Sequence, residues 1–229
     1  MTTTDSRNDR TADARPHGRQ GVARLDAAFD ALATEQGRAL LACLADADEE
    51  TLVVDDLAAR NADDEAGDDW LLRTRFHHTH LPKLDGAGLL DYDADRSLVR
   101  PGRADQFEAL HSVVADYEAD DRPVSLDALF DLLSAFRRRT AYRTLLAHGD
   151  LSLPDLADEV VIAECDRTLP EIDPDDVLQV YLSLYHTHVP KLAEAGLVEY
   201  DQDGDFVALT DDGRALESVV EDLCEAVET

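Results

Sequence analysis

His78-Thr79-His80-Leu81-Pro82-Lys83-Leu84 recurs 108 residues downstream as His186-Thr187-His188-Val189-Pro190-Lys191-Leu192. The correspondence continues through Ala87-Gly88-Leu89 and Tyr92-Asp93 to Ala195-Gly196-Leu197 and Tyr200-Asp201. Upstream, Leu25-Asp26-Ala27 and Phe29 match Leu126-Asp127-Ala128 and Phe130. Downstream, Leu110 and Ser112-Val113-Val114 match Leu216 and Ser218-Val219-Val220. Three separated blocks in one order mark a duplication, so whatever fold the motif belongs to occurs twice. The expected division is a disordered tail at 1–22, rich in Arg, Asp and Thr, then unit one at 23–120 and unit two at 121–229.

Hydrophobic spacing lays the same elements into both units. A first helix carries Leu25, Ala28, Phe29 and Leu32 at i, i+3, i+4 and i+7. A second is expected after Thr34 or Ser134, both residue types that cap helix starts, burying Leu41 and Leu44 or Tyr142 and Leu145. A short extended piece at 51–54, or 151–153, leads to a helix beginning at Asp55 or Pro154. Proline suits a first helical turn, where its missing N–H has no partner to lose. The motif then predicts a long helix, Asp69 to Ala87 and Asp175 to Ala195, closed by Gly88 and Gly196. Two strands joined by acidic turns (93–96 and 201–204) and a last helix complete each unit.

Helix, helix, helix and hairpin is the order of a winged helix. The block ending Leu84, Ala87-Gly88-Leu89 ahead of a hairpin resembles the recognition helix and wing of ArsR-like and MarR-like regulators. The fuller string, with its Gly-Leu and Tyr-Asp, resembles a haloarchaeal winged-helix domain of unknown function. That resemblance covers nearly everything after residue 22. It implies a mainly α chain with small β wings (α+β): two tandem winged helix-turn-helix domains, each followed by a trailing helix. Unit two departs from the pattern. Leu57 and Leu156 are 99 residues apart but the motifs are 108 apart, so nine extra residues are expected around Asp166 to Asp173. A tight helix-turn-helix has a turn of about three or four residues there.

The net charge is -30, from 51 Asp and Glu against 21 Lys and Arg, of which only Lys83 and Lys191 are lysine. A hydrophobic fraction of 44% is too high for a disordered polyanion, so the acid is read as the surface of folded domains. Such a shell repels itself at ordinary ionic strength, whereas at about 1 M salt the screening length is about 3 Å. This lysine-poor acidic surface resembles that of haloarchaeal proteins. Cys43, Cys165 and Cys224 are odd in number and widely spaced, which reads as thiols in a reducing cytoplasm. No apolar run approaches the roughly 18 residues of a membrane span, so no membrane association is expected.

On a helical wheel Leu72, Phe76, Leu84 and Ala87 share one stripe, as do Val180, Leu184, Leu192 and Ala195. The opposite stripe holds Arg75, Thr79, Pro82 and Lys83, or Ser183, Thr187, Pro190 and Lys191. In a winged helix that stripe faces the major groove. The resemblance therefore makes Arg73, Arg75, His78, Thr79, Lys83, Thr187 and Lys191 candidate DNA contacts, with Arg96 and Arg100 from the first wing. Cations there address phosphates or guanine edges. The two lysines occupy one repeated position. Either a compact cation is wanted there, or both descend from a single lysine lying over apolar surface. Unit one, with Arg73, Arg75 and Lys83, is the stronger DNA candidate. The apolar motif helix of unit two, from Val177 to Tyr185, supports the alternative of a protein-docking module.

Five of the eight histidines cluster in the motif, yet residues two apart do not face each other on a helix, and no ligand set of zinc spacing accompanies them. His80 and His188 read as core-edge residues donating to backbone carbonyls. Pro82 and Pro190 lie inside the helix and predict a bend. No phosphate loop, nucleophile elbow or isolated carboxylate pair stands out, so neither an enzyme nor a cofactor is expected. The trailing helices repeat an apolar stripe, Leu110, Val113, Val114 and Tyr117 against Leu216, Val219, Val220 and Leu223. They are expected to pair as an intramolecular pseudo-dimer.

The charge balance carries the first prediction. Dialysis from molar salt into about 0.1 M salt, where the screening length is about 10 Å, should unfold the chain by circular dichroism. An unchanged helical spectrum with a cooperative melt would contradict the reading of a salt-adapted surface.

Overall fold

The computed structural model describes residues 19–47, 51–61, 69–119 and 122–228. Helices dominate, with two small antiparallel sheets. In unit one, α1 (Arg19–Leu32) and α2 (Glu35–Ala45) precede β1 (Leu52–Val53), α3 (Val54–Arg60) and α4 (Asp69–Arg75). A π turn (Phe76–His80) joins α4 to α5 (Leu81–Gly86), and the hairpin β2 (Leu90–Asp93) and β3 (Leu98–Pro101) leads into α6 (Ala104–Ala119). Unit two repeats this as α7 (Leu126–Leu133), α8 (Phe136–His148), β4 (Asp150–Ser152), α9 (Leu153–Cys165), a 3-10 turn (Leu169–Glu171) and α10 (Pro174–Ser183). A second π turn (Leu184–His188), α11 (Val189–Glu194), β5 (Val198–Asp201) and β6 (Phe206–Leu209) come next. Its trailing helix is divided into α12 (Asp211–Ala215) and α13 (Glu217–Glu228).

The short extended pieces do more than connect helices. β1 pairs with β3 (Leu52 opposite Val99) and β4 with β6 (Leu151 opposite Val207), giving strand orders β1-β3-β2 and β4-β6-β5. Each hairpin is thereby stitched to the start of the helix after its outer strand. Ser97 and Asp205, both in the left-handed region, accept through their carbonyls from the N–H groups of Val54 and Leu153. The motif helices end alike. Gly88 (φ 72°) donates to Asp85 and Leu89 to Leu84, while Gly196 (φ 76°) donates to Ala193 and Leu197 to Leu192. This paired closure needs a residue free to adopt positive φ.

Several expectations shift at the element boundaries. Residues 19–22 belong to α1, so the tail at 1–22 is too long by its last turn; the rest of it, and the boundary at 120 and 121, lie outside the described residues. Thr34 caps α2, accepting from Gly37 N, but Ser134 does not cap α8. Its hydroxyl instead donates to the Asp131 carbonyl at the end of α7. α9 runs to Cys165, whereas α3 ends at Arg60, so the extra residues of unit two begin inside this helix, before Asp166. Among the described residues no helix is long and apolar enough to cross a membrane.

The units share a seam built from equivalent parts. α1 packs on α7, α6 on α13, and each first helix also meets the other unit's trailing helix. Phe29 and Phe130, buried equivalents, meet with ring centroids 6.0 Å apart. Arg38 of unit one reaches Asp127 of unit two at 2.7 Å, and Arg139 of unit two reaches Asp26 of unit one at 2.7 Å. Arg38 and Arg139 are themselves equivalents, as are Asp26 and Asp127. Each guanidinium also lies near the opposite phenylalanine, at 6.0 and 5.5 Å, and donates to a carbonyl of the turn before it, Leu32 or Leu133. Residue i meeting j while j meets i is the signature of a two-fold contact, realised here within one chain. Leu110, Val114, Tyr117, Leu216, Val219, Val220 and Leu223 are buried on the trailing helices, and Val113 is partly buried. Gln106 on α6 donates to the Val227 carbonyl on α13 at 2.8 Å.

Because Phe29 belongs to both units' packing, Phe29→Ala should cost about 3–5 kcal/mol, the usual range for a buried phenylalanine. The loss should appear in one cooperative transition. Two separated transitions in chemical denaturation would mean that the units fold independently of the seam.

Candidate nucleic-acid interface

Proline shapes the motif helix through hydrogen-bond bookkeeping. Within a regular α-helix the ring of Pro82 would collide with the carbonyl four residues back and remove one ladder bond. The helix widens just before it: Leu81 N–H bonds to Phe76 O, and Val189 N–H to Leu184 O, both spanning five residues. Pro82 and Pro190 then stand in the first turn of α5 and α11, where no N–H is required. Backbone angles stay right-handed on both sides (Arg75 -64°, -41°; Leu81 -63°, -45°), so the run is continuous. Where the bend is expected, the helix changes register. One extra residue per turn rotates the remainder of the helix by about 100°, and Phe76 and Leu81, five apart, are both buried.

The outer face of unit one carries Trp70, 75% exposed, with Arg75, His78, Thr79, Pro82 and Lys83. Carboxylates engage several of the candidate cations. Arg73, partly buried, is 3.1 Å from Asp55 on α3. Arg96 lies 3.7 Å from Asp93 across the hairpin turn, while Arg100 Nε donates to Thr51 Oγ1 at 3.0 Å. Arg75, His78 and Arg100 are the exposed members with no carboxylate partner among the described residues.

The lysines have a shared structural explanation. Lys83 Nζ is 2.8 Å from Asp30 on α1, and Lys191 Nζ is 3.4 Å from Asp131 on α7, equivalent aspartates next to Phe29 and Phe130. Each pair ties a motif helix to the first helix of its own unit. Exposed pairs of this kind contribute at most about 1 kcal/mol, so the lysines are partly committed cations. Thr187 is exposed beside Lys191, and unit two places no arginine where unit one has Arg73, Arg75, Arg96 and Arg100; Tyr181, Ser183, Gly204 and Ala208 stand there.

The histidines separate by environment. His77 hydrogen-bonds the Tyr92 hydroxyl, fastening helix to wing, and Tyr185 meets Tyr200 edge-on at 6.2 Å in the same place in unit two. Tyr181 and Tyr200 also both donate to Asp205 in that wing. His80 is buried and its pKa is lowered, first by desolvation and then by the charges of Lys83 and Arg75. His188 is pushed down to about 4 by desolvation, then by Arg138, Arg137 and Lys191, with Glu164 opposing. Neither ring donates to a backbone carbonyl among the described residues, and His188 Nδ1 is buried without a partner. No group of three His, Cys, Asp or Glu among these residues is placed to hold a metal.

His188 gives a pH prediction. Its ordinary pKa of 6.5 is lowered to about 4 in the fold, so the unfolded chain binds the extra proton between those values. Its contribution to stability is complete above pH 6.5 and is lost as pH falls towards 4. The His188 ring resonances should titrate near pH 4, and His188→Gln should flatten the fall of melting temperature below pH 6.5. A midpoint at or above 6.5 would contradict this environment.

No curated protein and no solved structure matches the chain. The DUF7344 family, described as a domain of unknown function, matches it twice, over residues 29–100 and 130–208. Each match runs from the end of the first helix through both π turn and hairpin, leaving the trailing helices outside. On the strength of these two matches the chain belongs to the DUF7344 family and carries its domain in tandem.

Proposed function

We propose that the chain is a non-enzymatic DNA-binding transcription regulator of a halophile, reading DNA with the motif helix and wing of unit one. The order α2, β1, α3, α4–α5, β2, β3, with strand order β1-β3-β2, supports a winged helix-turn-helix. In such a domain the exposed face of α4–α5 enters the major groove and the hairpin flanks it. The observation that carries the reading is Arg75 beside His78 and Thr79 on that face, exposed and without a carboxylate partner among the described residues, with Arg96 on the adjoining wing. Guanidinium groups so placed suit guanine edges or phosphate.

The net charge of -30 opposes a polyanion, but in molar salt counterion release contributes little to any protein's affinity. Direct contacts then dominate. Unit two has no arginine at the matching positions, so the target is an asymmetric site occupied mainly by unit one.

Selection of binding sequences from random duplexes in roughly 2 M KCl should enrich a defined site. Arg75→Ala should weaken binding by about 1–3 kcal/mol, the scale of one specific base contact. Lys83→Ala should cost less, since Asp30 already holds that ammonium at 2.8 Å. No enriched sequence, or an Arg75→Ala variant as tight as the parent, would overturn the reading.

A further inference from the structure

The two units present the same surface with opposite chemistry. Aligned through their π turns, Arg73, Arg75, Arg96 and Arg100 of unit one face Tyr181, Ser183, Gly204 and Ala208 of unit two. Beside the positions that lack these cations, apolar groups stand open. Leu178 and Leu182, one helical turn apart on α10, are 52% and 43% exposed, and Phe206 is exposed on β6. Tyr181 connects helix and wing: its hydroxyl donates to Asp205, next to Phe206, and its ring stacks on Tyr185. The surface is thus held before any partner arrives, which lowers the ordering cost of binding.

The rim is acidic. Asp175 begins α10, Glu199 and Asp201 lie on β5, and Asp203 is in the hairpin turn; all four are exposed and none has a cationic partner among the described residues. With no arginine at the positions matching Arg73, Arg75, Arg96 and Arg100, this face lacks the groups that would contact a duplex, and a second copy would bring its own carboxylates into direct contact with these. We propose that unit two's motif face is a docking site for a partner protein presenting an amphipathic helix, apolar on one side and flanked by lysine or arginine. The exposed leucine pair, one turn apart on α10, gives an apolar strip against which the apolar side of such a helix can lie. Carboxylates in direct contact favour cationic flanks, a preference that salt weakens, while molar salt leaves the apolar contact intact.

Two labelled synthetic peptides of about 18 residues, ~27 Å of helix, serve as probes. They share a leucine stripe and differ only in carrying lysine or glutamate elsewhere. Fluorescence anisotropy with the full chain in roughly 2 M KCl should detect tighter binding of the lysine peptide, by a margin that grows as the salt is lowered within the range that keeps the chain folded. Leu178→Ser with Leu182→Ser changes two half-exposed side chains outside the buried core and should weaken that binding at least about tenfold, 1.4 kcal/mol, with an unchanged circular dichroism spectrum. Trp70→Ser, at the position in unit one equivalent to Leu178, and Arg75→Ala should both leave it unaltered, so success or failure here is separate from DNA binding by unit one. Equal binding of both peptides, no binding of the lysine peptide, an unaffected double variant, protection of this face by duplex DNA, or self-association abolished by the leucine changes would each overturn the proposal.

Discussion

Phe29 and Phe130 lie against one another at the centre of the chain, each approached by the guanidinium of the other's unit. The rest of the architecture depends on this reciprocal contact. Arg139 is almost wholly buried and Asp26 two-thirds so, at 2.7 Å. A buried ion pair of that kind adds little net stability beyond a hydrophobic equivalent, but removing one partner leaves a stranded charge that costs several kcal/mol. A slip of α1 against α7 would part both pairs, Arg38 from Asp127 and Arg139 from Asp26. The same turns that present Arg38 and Arg139 accept their own hydrogen bonds at Leu32 and Leu133. Local capping and long-range docking are done by one side chain.

The first helices also connect this seam to the motif. Asp30 and Asp131 directly succeed the seam phenylalanines and hold Lys83 and Lys191. Two turns of α1 thus face three ways: to the core through Ala28 and Leu32, to the other unit through Asp26 and Phe29, and to the motif helix through Asp30. Arg24 adds a fourth link, donating to the Ala87 carbonyl beside the helix end and to Gln106 on α6. In a surface so poor in lysine, the repeated ammonium is accounted for by geometry inside each unit. The family match begins at Phe29 and Phe130, so the start of each first helix, and both trailing helices, lie outside the matched regions.

Much of this was legible in the residues. The duplication, the helix order, the hairpins and the glycine closures arise from spacing and from Gly88 and Gly196. The π turns were missed because a helical wheel assumes a fixed angle per residue. The trace was present in the pairs Phe76–Leu81 and Leu184–Val189, five apart and each just ahead of a proline. The cross-unit arginines were missed for a different reason: Arg38 and Arg139 sit in helices whose apolar stripes describe their own unit, and nothing local marks a charge as aimed at a neighbour. Ser134 looked like a cap by type, but its hydroxyl found a carbonyl behind it. The candidate DNA contacts were placed on the motif helix and wing by pattern, while their commitment to Asp55, Asp93 and Asp30 depends on partners distant in sequence or across a turn.

The seam joins two halves of one polypeptide, and that changes its concentration dependence. Two separate subunits would pair in proportion to the square of their concentration and part on dilution. Tethered halves face each other at a fixed effective molarity, which dilution in the cell leaves untouched. Pairing of the two halves consequently sets no concentration threshold of its own. The tether also releases the halves from having identical sequences: a substitution in one motif helix no longer appears in both, and the arginines of one face and the leucines of the other record that freedom.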